Sequence, residues 1–345
     1  DADDLLLYHS QRDGRIDALN TDLVLNGGWQ KSFKKEGHTL DIDFNHSSTD
    51  FYADENLEHQ YYDGSSILYD TQFQNTIEDQ EFSTTISKID YVLPINDSTN
   101  FEAGFHYTRR FAKNDFTSES SQDGSIFNND IAISNAFQYG QQTFAPYSTF
   151  GIQYGKLGMK IGLRAEQTLT DSELITTSDK FSNDYFKLFP SAHLSYTTTK
   201  NGEFMLSYSK RINRPTMGQV NPFSNYSDPL TLQTGNPSLR PEIIHVNEFS
   251  YSKFWKKFNI NSSVYYRFIT DLIRRNLSYS DTYSEVSYAN LGNSSLSGAD
   301  LTMTLTPVKG LRIMSSTSFW MTSTKDTSVT SGEWNHFMGV NTGLN

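Results

Sequence analysis

The chain has 345 residues, a formal net charge of −12, no cysteine, and an aromatic set of 24 Phe, 20 Tyr and 4 Trp. Without cysteine there is no disulfide scaffold, thiolate metal site or thiol nucleophile, and the acidic balance argues against a nucleic-acid surface, which needs a basic face. The longest unbroken apolar run, Leu5 to Tyr8, is far short of the roughly 20 residues that a membrane-spanning helix requires. Eight histidines without an H-x-x-x-H or H-E-x-x-H spacing give a zinc protease no support.

Mean hydropathy is −0.56, poor for a conventional soluble core, yet the aromatic content argues against disorder. The pattern along the chain reconciles the two. From Leu19, the positions Leu19, Thr21, Leu23, Leu25, Gly27, Trp29 and Phe33, broken by Lys31, alternate with Asn20, Asp22, Val24, Asn26, Gly28, Gln30 and Ser32, the period of a strand with one apolar face. After Lys34 to Gly37 the pattern resumes with Leu40, Ile42 and Phe44 against Asp41, Asp43 and Asn45, at hairpin spacing. Ser87 to Leu93 turns through Pro94 to Thr99 into Phe101, Ala103, Phe105 and Tyr107. Phe150, Ile152 and Tyr154 turn at Gly155-Lys156 into Leu157, Met159, Ile161, Leu163 and Ala165. Leu188 to Tyr196 turns near Lys200 to Gly202 into Phe204, Leu206 and Tyr208, and Phe249-x-Tyr251 turns at Trp255 to Lys257 into Phe258, Ile260, Val264, Tyr266 and Phe268. Ala299 to Leu305 turns at Pro307 to Gly310 into Leu311, Ile313, Thr317, Phe319 and Met321. Six hairpins, hence about twelve strands of 10 to 13 residues, are expected, with a thirteenth starting near Trp334 and Asp1 to Arg15 as the tail of a loop.

Between these units short turns alternate with long polar stretches, roughly 48–82, 112–135, 169–184, 213–243, 271–289 and 323–333. Strands of about ten residues, short turns at one end and long loops at the other are the signature of an outer-membrane barrel. Only the lipid-facing half of each such strand needs to be apolar, so hydropathy falls while the aromatic content stays high. Trp29, Phe33, Tyr91, Phe101, Tyr154, Phe204, Phe254, Trp255 and Phe258 lie near strand ends, where interfacial girdles sit. The expected fold class is all-β, a transmembrane antiparallel up-and-down β-barrel of about 12 to 14 strands in this chain. A large soluble β-sandwich is disfavoured, because its strands are shorter and its connections lack this rhythm.

Five of the nine prolines, Pro215, Pro222, Pro229, Pro237 and Pro241, fall in residues 213–243, which should form a structured extracellular loop, since proline lacks the ladder's amide donor. The run Ser207 to Pro215 (Ser-Tyr-Ser-Lys-Arg-Ile-Asn-Arg-Pro), Asn221-Pro222-Phe223, Tyr226 to Pro229, and Gly235-Asn236-Pro237-Ser238-Leu239-Arg240-Pro241-Glu242 resembles the TonB-dependent outer-membrane receptors, and more narrowly the outer-membrane β-barrel family abundant in Bacteroidetes. Lys88 to Pro94, Gly162 to Glu166 and Leu188 to Ser191 add to it. The family motif falls on Arg211, Arg214, Pro215, Asn236, Pro237, Leu239, Pro241 and Glu242.

The resemblance implies a 22-stranded barrel around an N-terminal plug, importing a scarce ligand with energy relayed by TonB, in the outer membrane of a Gram-negative bacterium. The chain is therefore expected to be one partial barrel domain over 1–345, with partners in outer-membrane lipid, a plug, TonB, an unknown extracellular ligand and a surface lipoprotein. A smaller passive channel of 12 to 14 strands and a surface adhesion or scaffold barrel are the alternatives. No cofactor, metal or enzymatic activity is expected: neither a G-x-S-x-G element nor a paired-carboxylate context stands out, and the Asp-dense spots lack an EF-hand's glycine and closing glutamate.

Parity places His106, Arg110, Arg164, Glu166, Arg211, Glu248 and Arg267 on the lumenal face. They are the candidate ligand or plug contacts, beside the plainer role of an interior charge network. Aromatic stretches such as Phe51-Tyr52, Tyr61-Tyr62 and Phe181 to Phe186 are candidates for stacking on ligands from the loops.

Overall fold

The computed structural model describes residues 8–131, 133–198, 201–225, 231–279, 284–325 and 330–344. Its strands are β1 (Tyr8–Ser32), β2 (Thr39–Asp63), β3 (Leu68–Asn96), β4 (Thr99–Ser121), β5 (Asn128–Asn129), β6 (Asn135–Tyr154), β7 (Leu157–Leu174), β8 (Asp179–Ser182), β9 (Tyr185–Thr197) and β10 (Gly202–Asn213). One helical turn, α1 (Met217–Val220), follows. Then come β11 (Ser224–Asn225), β12 (Thr231–Thr234), β13 (Glu242–Phe254), β14 (Phe258–Thr270), β15 (Ile273–Tyr279), β16 (Ser284–Asn290), β17 (Asn293–Leu305), β18 (Leu311–Lys325) and β19 (Thr330–Leu344).

The long strands form one antiparallel meander in the order β1-β2-β3-β4-β6-β7-β9-β10-β13-β14-β17-β18-β19, to which β5 and β8 add short pairings. This is an up-and-down β-barrel wall. Among the described residues β1 and β19 are its two edges. A separate four-stranded sheet, β11-β12-β16-β15, joins the proline-rich segment to the β14–β17 connection through a parallel pairing of β12 with β16.

Register carries the alternation across the wall. Leu163 lies opposite Ser148 on one side and Pro190 on the other, and Val264 lies between Phe249 and Ala299. Leu23, Trp29, Phe44, Ile89, Phe105, Ile161, Leu163, Leu206, Phe249 and Val264 are exposed large hydrophobics. In water this would be an aggregation surface; in a bilayer it is the lipid contact. The aromatic ends form a girdle at the short-turn rim. His38 stacks on Phe33 at 4.0 Å and hydrogen-bonds the Tyr91 hydroxyl at 2.9 Å, while Trp255 packs on Phe258 at 5.3 Å with the Lys253 ammonium 4.5 Å from its ring.

Several strands are far longer than the period-two signal predicts. Residues 48–82 are no loop: β2 runs to Asp63, turns through four residues, and β3 begins at Leu68. Tyr8 to Arg15 belong to β1, whereas Asp1 to Leu7 lie outside the described residues. Phe51-Tyr52 and Tyr61-Tyr62 therefore lie on β2, and Phe181 and Phe186 on β8 and β9. The reason is physical. A 25-residue strand such as β2 spans about 80 Å at ~3.3 Å per residue, against a hydrocarbon core of about 30 Å. Above the lipid both faces meet water, so the apolar alternation ends while the backbone ladder continues.

The protruding parts of β1 to β4, residues 8–22, 50–81 and 113–121, make a blade. They carry fourteen acidic against three basic side chains, and so hold eleven of the chain's twelve net negative charges.

The buried apolar core is not inside the membrane band. It sits at the mouth, where Phe137, Tyr139 and Leu174 from β6 and β7 pack against Val220 and Leu239 of the proline-rich segment, with Met217, Phe223, Ile273 and Tyr288 around them.

Candidate functional site

The site grows from the lumenal parity of β4, β6, β7 and β9. Opposing register sets Asp90 beside Gly104, and Lys88 beside His106, while His106 lies opposite Ala145 on β6. Gly104 has no side chain for a reason: a Cβ there would meet Tyr147 Cε1 and the Asp90 carboxylate within 2.7 Å, so its absence lets the Tyr147 ring cross β4. The Tyr147 hydroxyl then donates to Asp90 at 2.7 Å.

His106 Nε2 is 3.1 Å from the same Asp90 oxygen, and Arg164 Nη1 is 2.9 Å from His106 Nδ1. A guanidinium can only donate. Nδ1 therefore accepts, and the tautomer is the one whose Nε2–H points at Asp90. Arg164 Nε also donates to Glu166 at 2.6 Å. The other Glu166 oxygen takes Arg214, which reaches in from the start of the proline-rich segment and also donates to Tyr185 at 3.1 Å. Glu166 is nearly buried, its side chain 7% exposed. Nearer the short turns, Lys160 makes a two-pronged pair with Glu102 at 2.9 and 3.0 Å, and Thr149 donates to the same carboxylate.

Of the residues singled out by parity, His106, Arg164 and Glu166 meet in this one network. Arg110 lines a separate cavity beside it. Among the described residues Arg211 bonds only Ser209, at 3.3 Å, Arg267 lies 4.9 Å from the Tyr265 ring, and Glu248 sits opposite Ser207 and Tyr265. Those three do not join the network. Asp90, Glu102, Tyr147, Lys160 and Tyr185 do the work beside the predicted residues and escaped notice. Their signal was the same parity, read on neighbouring strands whose register only the fold supplies.

The proline-rich segment closes over this wall. α1 is capped by Thr216, whose backbone N–H donates to the Gln219 side-chain oxygen at 2.9 Å. The chain then doubles back: Gly235 and Asn236 donate their backbone N–H groups to Asn221 and Gln219 carbonyls at 2.8 and 2.7 Å. At Gly235 an added Cβ would lie 2.3 Å from the Asn221 carbonyl oxygen and 2.8 Å from its nitrogen. Because those are backbone atoms, Gly235→Ala should displace the whole double-back; limited proteolysis of the intact protein should cut this segment markedly faster than in the wild type.

The remaining motif residues are tie-points. The Asn236 amide donates to the Tyr288 carbonyl at 3.0 Å, and Asn183 donates to the Leu239 carbonyl at 2.9 Å. Leu239 is 2% exposed. Glu242 accepts from Asn213 and from the backbone of Ile273, both at 2.7 Å, and so fastens β10, β13 and β15 together. Tyr139, deep under the segment, has its hydroxyl pKa pushed up to about 12, chiefly by burial. It lies beyond the lipid band, whose outward face on β6 changes from Phe144 to Gln142, Gly140 and Gln138.

Beneath the segment a cavity of about 450 Å³ opens between Thr84, Arg110, Tyr139, Gln141, Asn213 and Arg214. A second, of about 470 Å³, lies at the short-turn end of the wall among Asp97, Lys160, His193 and Glu203. The arrangement is a polar, wet-faced wall with a structured roof at one end.

Comparison with known proteins agrees with this architecture. The model of the outer membrane protein beta-barrel family matches residues 31–345. No curated protein matches the sequence. Among solved structures, the FrpB iron transporter from Neisseria meningitidis is 10% identical with a TM-score of 0.53, over 89% of this chain and 54% of that one. The copper transporter OprC is 9% identical with a TM-score of 0.61, over 96% and 60%. The RagAB peptide transporter is 15% identical with a TM-score of 0.58, over 92% and 37%. This chain thus spans from about a third to three fifths of the length of those three.

Proposed function

Because the chain belongs to the outer membrane protein beta-barrel family, a family of the Gram-negative outer membrane, we propose that it forms the wall of a TonB-dependent uptake receptor. In this reading the polar lumen bears on a plug that closes the pore, and a ligand captured outside passes along the wall. Outer-membrane lipid surrounds the barrel, TonB supplies energy from the inner membrane, and a surface lipoprotein assists capture. The chain performs no covalent chemistry.

The observation that carries the proposal is the motif segment. Its prolines, Gly235 and buried Leu239 hold it folded inward on Phe137, Tyr139 and Leu174, and Arg214 ties it to the lumenal Glu166. A fixed roof over one wall shapes the mouth, as a receptor that selects its ligand requires. The similarity to structures named as iron, copper and peptide transporters supports import as the general class without identifying the cargo.

Two measurements test this on the intact protein. In planar bilayers a plugged receptor stays closed; steady ohmic conductance would instead show the passive channel. Deleting the gene should cause a growth defect on a limiting nutrient that loss of TonB reproduces. Growth indifferent to TonB, with no conductance, would point to an adhesion or scaffold barrel.

A further inference from the structure

We propose that the cavity beneath the motif segment is a subsite for an anionic oxygen group on the incoming ligand, a carboxylate or phosphate, with Arg110 as its principal donor. This rests on the import reading above and narrows its cargo.

The argument is one of charge and partners. The chain's acidic excess lies almost wholly in the blade, so along the rest of the wall a lumenal cation is paired only where a carboxylate is placed for it. Arg164 and Arg214 share Glu166, and Lys160 has Glu102. Arg110 has no ion pair and no hydrogen-bond acceptor among the described residues. Its cavity contains no carboxylate, whereas the two other cavities of similar size, at the short-turn end and outside β6 and β7, include Asp97 and Glu203, and Asp171 and Glu173. With no acid in the lining, the Arg110 charge is left uncompensated in this cavity.

The geometry suits an oxyanion. The Arg110 guanidinium offers a planar fork of donors, and the cavity also presents the Thr84 and Tyr139 hydroxyls and the Gln141 amide. Gln141 already donates to the Tyr139 oxygen at 3.0 Å, which leaves the phenolic proton to donate elsewhere. Both Arg110 and Arg214 act electrostatically on that hydroxyl, so the two guanidiniums and the phenol converge on one space. Arg214 is committed to Glu166; Arg110 is the free charge. The motif segment, through Pro215, Thr216 and Met217, covers one side of the space, while Arg110 stays exposed on the other and open to an incoming ligand.

Titration calorimetry on the intact protein purified from outer membranes tests the subsite, with tricarballylate as the carboxylate probe, glycerol 2-phosphate as the phosphate probe and tricarballylamide as the neutral one. At least one anion should bind saturably, more weakly at 200 mM than at 20 mM salt on the order expected for a screened ion pair, and the amide should not bind. Preference for one anion assigns carboxylate or phosphate. Arg110→Gln should weaken binding at least about tenfold, Arg110→Lys should recover part of it, and Arg312→Gln, at the short-turn end of β18, should leave it unchanged. Heat-modifiable gel mobility verifies that each variant is folded. Binding unaltered by Arg110→Gln, equal binding of the amide, or no anion binding at all overturns the subsite. The TonB-dependence of growth is read separately, so the subsite can fail while import stands.

Discussion

Arginine in place of Leu163 is expected to destabilise the folded barrel by about 2–4 kcal/mol, whereas arginine in place of Asn261 should cost far less. Leu163 is 48% exposed on the outward face, six residues from the start of β7 at Leu157. At ~3.3 Å per residue and a tilt near 40°, that is about 15 Å along the membrane normal, close to the middle of an apolar band about 25 Å tall. A guanidinium there has neither water nor a carboxylate. Asn261 lies opposite Ser252 and Thr302 on the lumenal side, where a long cation meets water. Gly162, the lumenal neighbour of Leu163, is a poor control, since a Cβ there would lie 2.8 Å from Ser191 and Thr149. Urea titration of the barrel in lipid vesicles, followed by tryptophan fluorescence, gives both values; equal penalties on the two faces would refute the assigned register.

Glu166→Ala should cost about 3–5 kcal/mol, because it leaves two guanidiniums facing a site built for one shared carboxylate. Arg214→Ala should cost less than Glu166→Ala, since Arg164 still occupies the carboxylate at 2.6 Å. The pair should be non-additive: in the double variant most of the Arg214 penalty is already incurred. Glu166→Ala should also loosen the motif segment, whose first side-chain anchor on the wall is Arg214. Unfolding midpoints of the two single variants and the double variant give the coupling energy, and a value near zero would show that the pair is ornamental.

Much of the wall was legible in the sequence because lipid imposes a strict rule. Wherever a strand crosses the bilayer, every second residue must be apolar, and Leu157, Met159, Ile161 and Leu163 announce it without help. The rule lapses at the mouth. Thr49 to Asp63 reads as a polar loop but continues β2, since a hydrated strand needs no apolar face and its ladder with β1 and β3 leaves no trace in residue type. Parity likewise placed His106, Arg164 and Glu166 on the correct face. It gave no means of knowing that β4 and β7 lie two places apart with Tyr147 of β6 between them, and so it missed Asp90, the acceptor that His106 and Tyr147 share. The proline-rich segment was recognisable as ordered, but the place where Leu239 buries itself depends on Phe137 and Leu174, about 100 and 65 residues earlier in the chain, a distant pairing that propensity does not encode.

The acidic blade has a mechanical consequence. Its strands set like charges directly opposite one another: Asp13 faces Glu58, Asp17 faces Asp54, Asp50 faces Glu81 and Asp79 faces Asp115. Cross-strand neighbours stand about 5 Å apart, inside the screening distance of about 8 Å at physiological ionic strength, so each pair pushes the hairpins apart even in ordinary saline. Against that pressure stand the backbone ladder and a few side-chain ties, among them Arg12 to Glu55, Gln74 to Ser118, Asn114 to Glu78 and the buried Leu57, and the blade is where the fold should fray first. Its stiffness should therefore rise with the ionic strength of the surrounding fluid, so that slower hydrogen exchange along these strands at high salt than at low salt would mark the blade as an elastic element tuned by its medium.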